Sequence, residues 1–147
     1  MSKISKVVVP VDFSTNTDKV VEYALSVADQ LGAEVLFLHV VNDYLGHDMM
    51  LGHPSFLGMT KDLEMQAKER MTNMVSDYEG REHGVSGKVL LGDAASEIIK
   101  YTQSQQADMI IIGTHGVKGL EKILIGSTAE QVAKKADCPV LLFKPFS

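Results

Sequence analysis

Five short runs of apolar, largely β-branched residues, each set off from the next by a stretch able to hold a helix, constrain this chain more than any other feature. KVVVPV at Lys6 to Val11, VLFLHVV at Val35 to Val41, MIII at Met109 to Ile112 and VLLF at Val140 to Phe143 are nearly continuous in apolarity, not alternating. A strand apolar on both sides must be covered on both sides. The run Val85 to Leu91 is weaker, interrupted by Gly87 and Lys88. Between these runs, apolar residues recur at helical spacing. Val20, Val21, Ala24, Leu25, Val27, Ala28 and Leu31 predict one helix, with Gly32 as its C-terminal stop. Leu63, Ala67, Met71, Met74, Val75 and Tyr78 predict a second, ending near Gly84. Asp93 can cap a third, whose inward face is Ala95, Ile98, Ile99 and Thr102, and Ser127 to Ala136 is the fourth. Asn42 to Thr60, with Gly46, Gly52, Pro54 and Gly58, reads as a long loop, and Gly113 to Ile125 as a loop with room for a short helical turn. The resulting order, β-α-β-α-β-α-β-α-β, argues for an α/β fold: an open parallel sheet with helices on both faces. With no repeat, low-complexity tract or linker, residues 1–147 are expected to form a single domain.

Composition excludes several classes of function. At 45% hydrophobic and 22% charged, the chain is too apolar for a disordered one. Its 14 Lys and Arg against 19 Asp and Glu give a formal net charge of −5, with no basic run to track a phosphate backbone, so no nucleic-acid partner is expected. A lone cysteine, Cys138, rules out an internal disulfide framework and a multi-cysteine zinc site. No apolar stretch approaches the roughly 20 residues of a membrane helix, so no membrane insertion is expected. Met1 to Lys6 leads straight into a strand-like run without the pattern of a signal peptide, which makes the cytoplasm the expected compartment.

In open parallel sheets ligands bind beyond the carboxyl ends of the strands, where the strand order reverses. Asp12 follows the first run, Val40 to Asn42 close the second, Gly92-Asp93 follow the third, and Gly113-Thr114-His115-Gly116 follow the fourth. The last segment is unusual. Gly113 and Gly116 are followed, nine residues on, by Gly126-Ser127 at a helix start. A glycine-bounded loop can turn its N–H groups inward as an anion nest, and a helix N-terminus adds free donors and partial positive charge. Two such donor sets converging can hold a polyphosphate, with Lys118 and Lys122 lying between them. By spacing alone, ordinary turns remain the alternative. Neither common phosphate motif, G-x-x-x-x-G-K-[S/T] or a G-x-G-x-x-G after the first strand, is present.

The pattern G-2x-G-9x-G-[S/T] at Gly113, Gly116, Gly126 and Ser127 resembles the ATP-binding signature of the universal stress protein family. VVVPVDFS at residues 7–14, LHVV at 38–41, GDAASEII at 92–99 and above all residues 107–143 are similar to that family as well. The resemblance implies a five-stranded parallel sheet of order 3-2-1-4-5, reversing between strands one and four. It implies that Asp12 hydrogen-bonds the adenine edge or ribose, that Pro10 and Val40 line the adenine pocket, and that Ile112 and Gly113 lie along the nucleoside. Gly113 and Gly116 would admit the phosphates to the backbone, and Gly126, Ser127 and Thr128 would bind phosphate oxygens. The expected ligand is ATP, or AMP or ADP, with magnesium or manganese held through the phosphates. The expected assembly is a homodimer through the strand Val140 to Phe143, whose apolar outer edge would otherwise stand open.

Several of these residues have structural readings too. Ser127-Thr128-Ala129-Glu130 is also a capping box, and Asp12 can simply brace the turn at Ser14 to Asn16. Lys118 and Lys122 read equally as solvated charges. His47 and His53 share a loop with Asp43 and Asp48 but match no metal spacing; His115 sits inside the glycine loop; His39 reads as a satisfied strand-end residue and His83 as surface. Cys138 reads as packing at the start of the last strand, and nothing in the spacing directs Lys134 or Lys135 at its thiol to activate it. Met49, Met50 and Met59 fall in the long loop, while Met71 and Met74 fit the helical stripe. With no nucleophile–base pair and no persuasive general base, the sequence favours a regulatory nucleotide-binding module acting through conformation or an unidentified protein partner. A slow ATPase or phosphoryl- or adenylyl-transfer enzyme, and a nucleotide-free interaction domain, are the alternatives.

Overall fold

The computed structural model describes residues 3–42, 54–114 and 126–145. The elements run β1 (Lys6–Pro10), α1 (Thr17–Leu31), β2 (Glu34–Val41), α2 (Pro54–Ser76), β3 (Val85–Leu91), α3 (Ala94–Ser104), β4 (Met109–Gly113), α4 (Ser127–Lys135) and β5 (Val140–Phe143). All strand pairs are parallel, in the order β3-β2-β1-β4-β5. The order reverses between β1 and β4, as expected. Among the described residues no helix is long and apolar enough to cross a membrane.

The inner strands β1, β2 and β4 are nearly continuous in apolarity because the sheet is buried on both sides there, whereas edge strand β3 is exposed from Ser86 to Lys88. One face presents Val7, Val9, Val35, Phe37, Val89 and Ile111 to α1 and α2, which contribute Val21, Ala24, Ala28, Ala67 and Met71. The other presents Val8, Leu36, Leu38, Ile110 and Ile112 to α3 and α4, which contribute Ala95, Ile98, Ala129 and Val132. Phe37, Leu38, Ile110 and Ile111 are fully buried. Side chains of that size each contribute about 1.5–3 kcal/mol of transfer free energy.

Local signals set the element ends. Gly32 closes α1 in the left-handed conformation (φ 69°), its N–H reaching the carbonyls of Ala28 and Asp29. Asp93 caps α3, its carboxylate accepting from the Ser96 N–H at 3.0 Å, and that bond holds the Asp93 carboxyl below the ordinary range. β1 ends at Pro10, yet the next residue, Val11, still donates to the Leu38 carbonyl at 2.8 Å. Arg81, on the turn before β3, binds Asp29 at the end of α1 and the carbonyls of Ala33 and Gly84. One guanidinium thus ties three chain segments together at the sheet's amino end.

Two expectations are corrected. The segment Asn42 to Thr60 is not all loop, because α2 begins at Pro54; residues 43–53 lie outside the described residues. Proline is suited to a first helical turn, which needs no N–H from it. Met59 accordingly stands on a helix, 53% exposed. Leu63 belongs to the helix but not to its buried stripe, at 49% exposure. Gly87, which seems to weaken β3, is where α2 docks: a Cβ there would lie 2.6 Å from Met71 Cγ and 2.8 Å from Val75 Cγ2.

Candidate functional site

A cavity of about 720 Å³ opens at the carboxyl ends of β1, β2 and β4, at the reversal of strand order. Its lining includes Pro10, Asp12, Val40, Ile112, Gly113, Gly126, Ser127 and Thr128. These are all the residues singled out from the sequence except Gly116, which lies outside the described residues, as do His115, Lys118 and Lys122.

The loop after β1 is built around Asp12. Its Oδ1 accepts from the Ser14 N–H at 2.9 Å and from the Thr17 hydroxyl at 3.3 Å, so this oxygen does brace the turn into α1. The side chain is nevertheless exposed and faces the cavity. Phe13 follows in the left-handed conformation (φ 58°), which for an aromatic residue stores strain. Its ring lies 4.8 Å from that of His39, with the Arg70 guanidinium 6.0 Å from its centroid. His39 Nδ1 is 2.7 Å from the Val11 carbonyl. A carbonyl can only accept, so Nδ1 carries the hydrogen. His39 is satisfied, as expected of a strand-end histidine, and it also lines the cavity.

Gly113 ends β4 opposite α1. A Cβ at this position would sit 2.7 Å from Val20 Cγ2, so the absence of a side chain is already required by helix–sheet contact. Gly126 takes the N-cap position of α4 at φ −60°, ψ 152°, and among the described residues no side chain caps the helix. The expected capping box therefore does not form. Ser127 stands one position too late to cap, and the Glu130 carboxylate pairs with Lys134 at 3.0 Å instead of reaching back. The leading turn of α4 thus faces the cavity through Gly126, Ser127 and Thr128, with no side-chain cap from the described residues over its amide end. Such a terminus attracts anions.

Sequence reasoning missed the α3 wall, Ala94 and Ile98, and also Thr114 and Pro145. Thr114 is 5% exposed, and its Oγ1 has no hydrogen-bond partner. Its position directly after the first signature glycine was the available signal. Among the described lining residues there is no lysine or arginine, and Asp12 is the sole carboxylate. The anion donors these residues offer are therefore backbone amides, hydroxyls, the Asn16 amide and the His39 ring.

Residues remote from the cavity behave as surface or core. His83 is exposed, 3.9 Å from Glu82. Burial, reinforced by Asp137, pushes the Cys138 thiol up, so it is not activated. Among the described residues no three His, Cys, Asp or Glu side chains group to hold a metal; His47 and His53 lie outside them.

The chain resembles known proteins along nearly its whole length. The profile of the universal stress protein family matches residues 3–144. Universal stress protein MJ0531 of Methanocaldococcus jannaschii is 32% identical over 141 residues, covering 95% of this chain and 81% of that protein. The solved structure of MJ0577 from the same organism superimposes with a TM-score of 0.81 at 28% identity, covering 97% of each chain. A universal stress protein complex with cAMP (TM-score 0.61, 18% identity, 98% of this chain and 99% of that one) and one from Archaeoglobus fulgidus with dAMP (0.60, 22%, 96% and 98%) share the fold. The doubly wound sheet, its reversal point and these matches together establish that the chain belongs to the universal stress protein family.

Proposed function

We propose that the crevice between β1 and β4 binds an adenine nucleotide, ATP or its AMP or ADP counterpart, and that the chain is a regulatory module and not an efficient enzyme. The observation that carries this reading is the shared cavity: a carboxylate at the end of β1, apolar walls from Pro10, Val40 and Ile112, and the first turn of α4 all open onto it. Its volume of about 720 Å³ is in the range of small-molecule and cofactor sites. Asp12 would take the ribose or the adenine edge, the apolar walls the base, and Gly113, Gly116, Gly126, Ser127 and Thr128 the phosphates. Magnesium or manganese would be held through the phosphate oxygens. That two fold relatives are seen with cAMP and dAMP agrees with this choice of ligand.

Binding without turnover is supported by the state of the titratable groups. Among the described lining residues these are Asp12 and His39, and each already makes a hydrogen bond within its own loop or strand end. The Nδ1–H bond leaves His39 Nε2 as an acceptor, so the case against turnover rests on Asp12, whose Oδ1 is committed to the turn into α1. Nucleotide would then act by favouring one of two conformations or partner-binding states through differential affinity. The chain is expected to work as a homodimer through the edge of β5, presenting that state to a regulatory partner.

Mass spectrometry of ligand released from freshly purified protein, followed by equilibrium binding with magnesium, tests the reading. Retained or saturably bound adenine nucleotide, recovered intact after a single-turnover incubation, is the expected result. Sustained multiple turnover would make the chain an enzyme. No saturable binding would make it an interaction domain.

A further inference from the structure

The geometry points to the Thr114 hydroxyl as a direct ligand for a phosphate oxygen of the bound nucleotide, an inference that rests on the nucleotide reading above. Thr114 follows Gly113, and its N–H donates to the Phe143 carbonyl at 2.8 Å, which prolongs the β4–β5 ladder by one residue. Side chains alternate along a strand, so Thr114 is on the same side as Ile110 and Ile112. That is the side covered by α4 through Ala129 and Val132. The hydroxyl therefore shares the α4 side of the crevice with Ser127 and Thr128, which also line it.

The state of that hydroxyl carries the inference. Thr114 is 5% exposed, and Oγ1 is buried without a partner. A buried hydroxyl left unpaired is destabilising, and a valine of nearly the same shape would avoid that cost. The ladder bond to Phe143 fixes the backbone, so the residue cannot swing out to water without breaking it. Oγ1 is closed even to water in this conformation, so it meets an acceptor in the cavity only by turning about χ1 on that fixed backbone. Ligand phosphate is the fitting acceptor: the described lining residues offer it neutral donors, and a hydroxyl beside the first turn of α4 is one of them.

Thr114→Val and Thr114→Ser test this in the full-length protein by three measurements. The first is the melting temperature without nucleotide, where Thr114→Val is expected to match or exceed wild type, because an unsatisfied hydroxyl has been removed. The second is ATP affinity with magnesium, where Thr114→Val is expected to weaken binding roughly 10- to 100-fold and Thr114→Ser to retain most of it. The third is the phosphorus-31 spectrum of ATP bound at saturation, where at least one phosphorus resonance is expected to move between wild type and Thr114→Val. A structural role would reverse the first result, lowering the melting temperature of the nucleotide-free valine variant. Unchanged affinity in that variant, or identical phosphorus spectra, would overturn the assignment while leaving nucleotide binding intact. If wild-type protein binds no adenine nucleotide, the parent reading fails and this inference with it.

Discussion

Replacing Gly113 with alanine separates two reasons for a glycine at the head of the signature. The family pattern attributes it to the ligand; the structure shows a second demand, from α1. The new methyl would sit 2.7 Å from Val20 Cγ2, about 1 Å inside normal carbon–carbon contact. Val20 is 7% exposed and β-branched, so its χ1 is stiff and the methyl cannot simply turn aside. Relief requires α1 to shift or Val20 to leave its rotamer, and overpacking of this kind costs about 1–3 kcal/mol. In a domain of this size that lowers the melting temperature by roughly 2–12 °C. Val20→Ala alone creates a small cavity at a cost of about 1–2.5 kcal/mol, but it also removes the clashing atom. The double variant should therefore be more stable than the sum of the single effects by about 1 kcal/mol or more. Urea denaturation of the four proteins in the cycle measures this coupling. A Gly113→Ala protein as stable as wild type, or strictly additive losses, would refute the packing argument. The double variant then offers a folded protein with a side chain at position 113, whose ATP affinity reports the ligand's own demand.

Two further perturbations follow from the hydrogen-bond pattern. Asp108 Oδ2 accepts from the Ser5 N–H at 2.9 Å, the Lys6 N–H at 3.0 Å and the Ser5 hydroxyl at 3.1 Å; led by the Ser5 amide, these bonds hold its carboxyl below the ordinary range against the opposing effect of burial. A depressed carboxyl stabilises the fold above its unfolded pKa of about 3.9 and loses that contribution as pH falls through the lower folded value. Asp108→Ala should thus be about 1 kcal/mol less stable than wild type at pH 7, a gap that closes below roughly pH 4 in thermal melts; a gap independent of pH would sink the assignment. At the outer edge of the sheet, the carbonyls of Pro139 and Phe143 bond to β4, so by alternation Val140 and Leu142 direct their N–H and C=O groups away from it. Leu142→Pro removes an outward donor and should leave a monomer or an aggregate on gel filtration with light scattering, whereas an intact dimer would exclude pairing through β5.

What was legible in the sequence follows from how far each signal reaches along the chain. The strands were readable because burial on two faces leaves a continuous apolar run, and Gly32 and Asp93 because one residue carries the whole cap. The order of the strands came from resemblance, since periodicity says nothing about which strands are neighbours. Ser127 misled because a capping box is defined by spacing, and spacing does not say which residue stands first: Gly126 takes the cap position and moves every role by one. Leu63 misled because a periodic stripe tells which way a side chain points, not how deeply the neighbouring elements cover it. Pro54 was a usable sign of a helix start, outweighed by the glycines around it. The candidate site shows the same division. Its glycines were singled out by the family pattern, since their spacing alone also fits ordinary turns, and Asp12 by its place at the end of the first strand. Thr114 was not, because a hydroxyl becomes informative only once tertiary structure has buried it and left it unpaired. Gly113 lies between the two cases: the sequence shows a glycine at the end of the fourth strand, and only the packing of Val20 shows that the protein itself, before any ligand, penalises a side chain there.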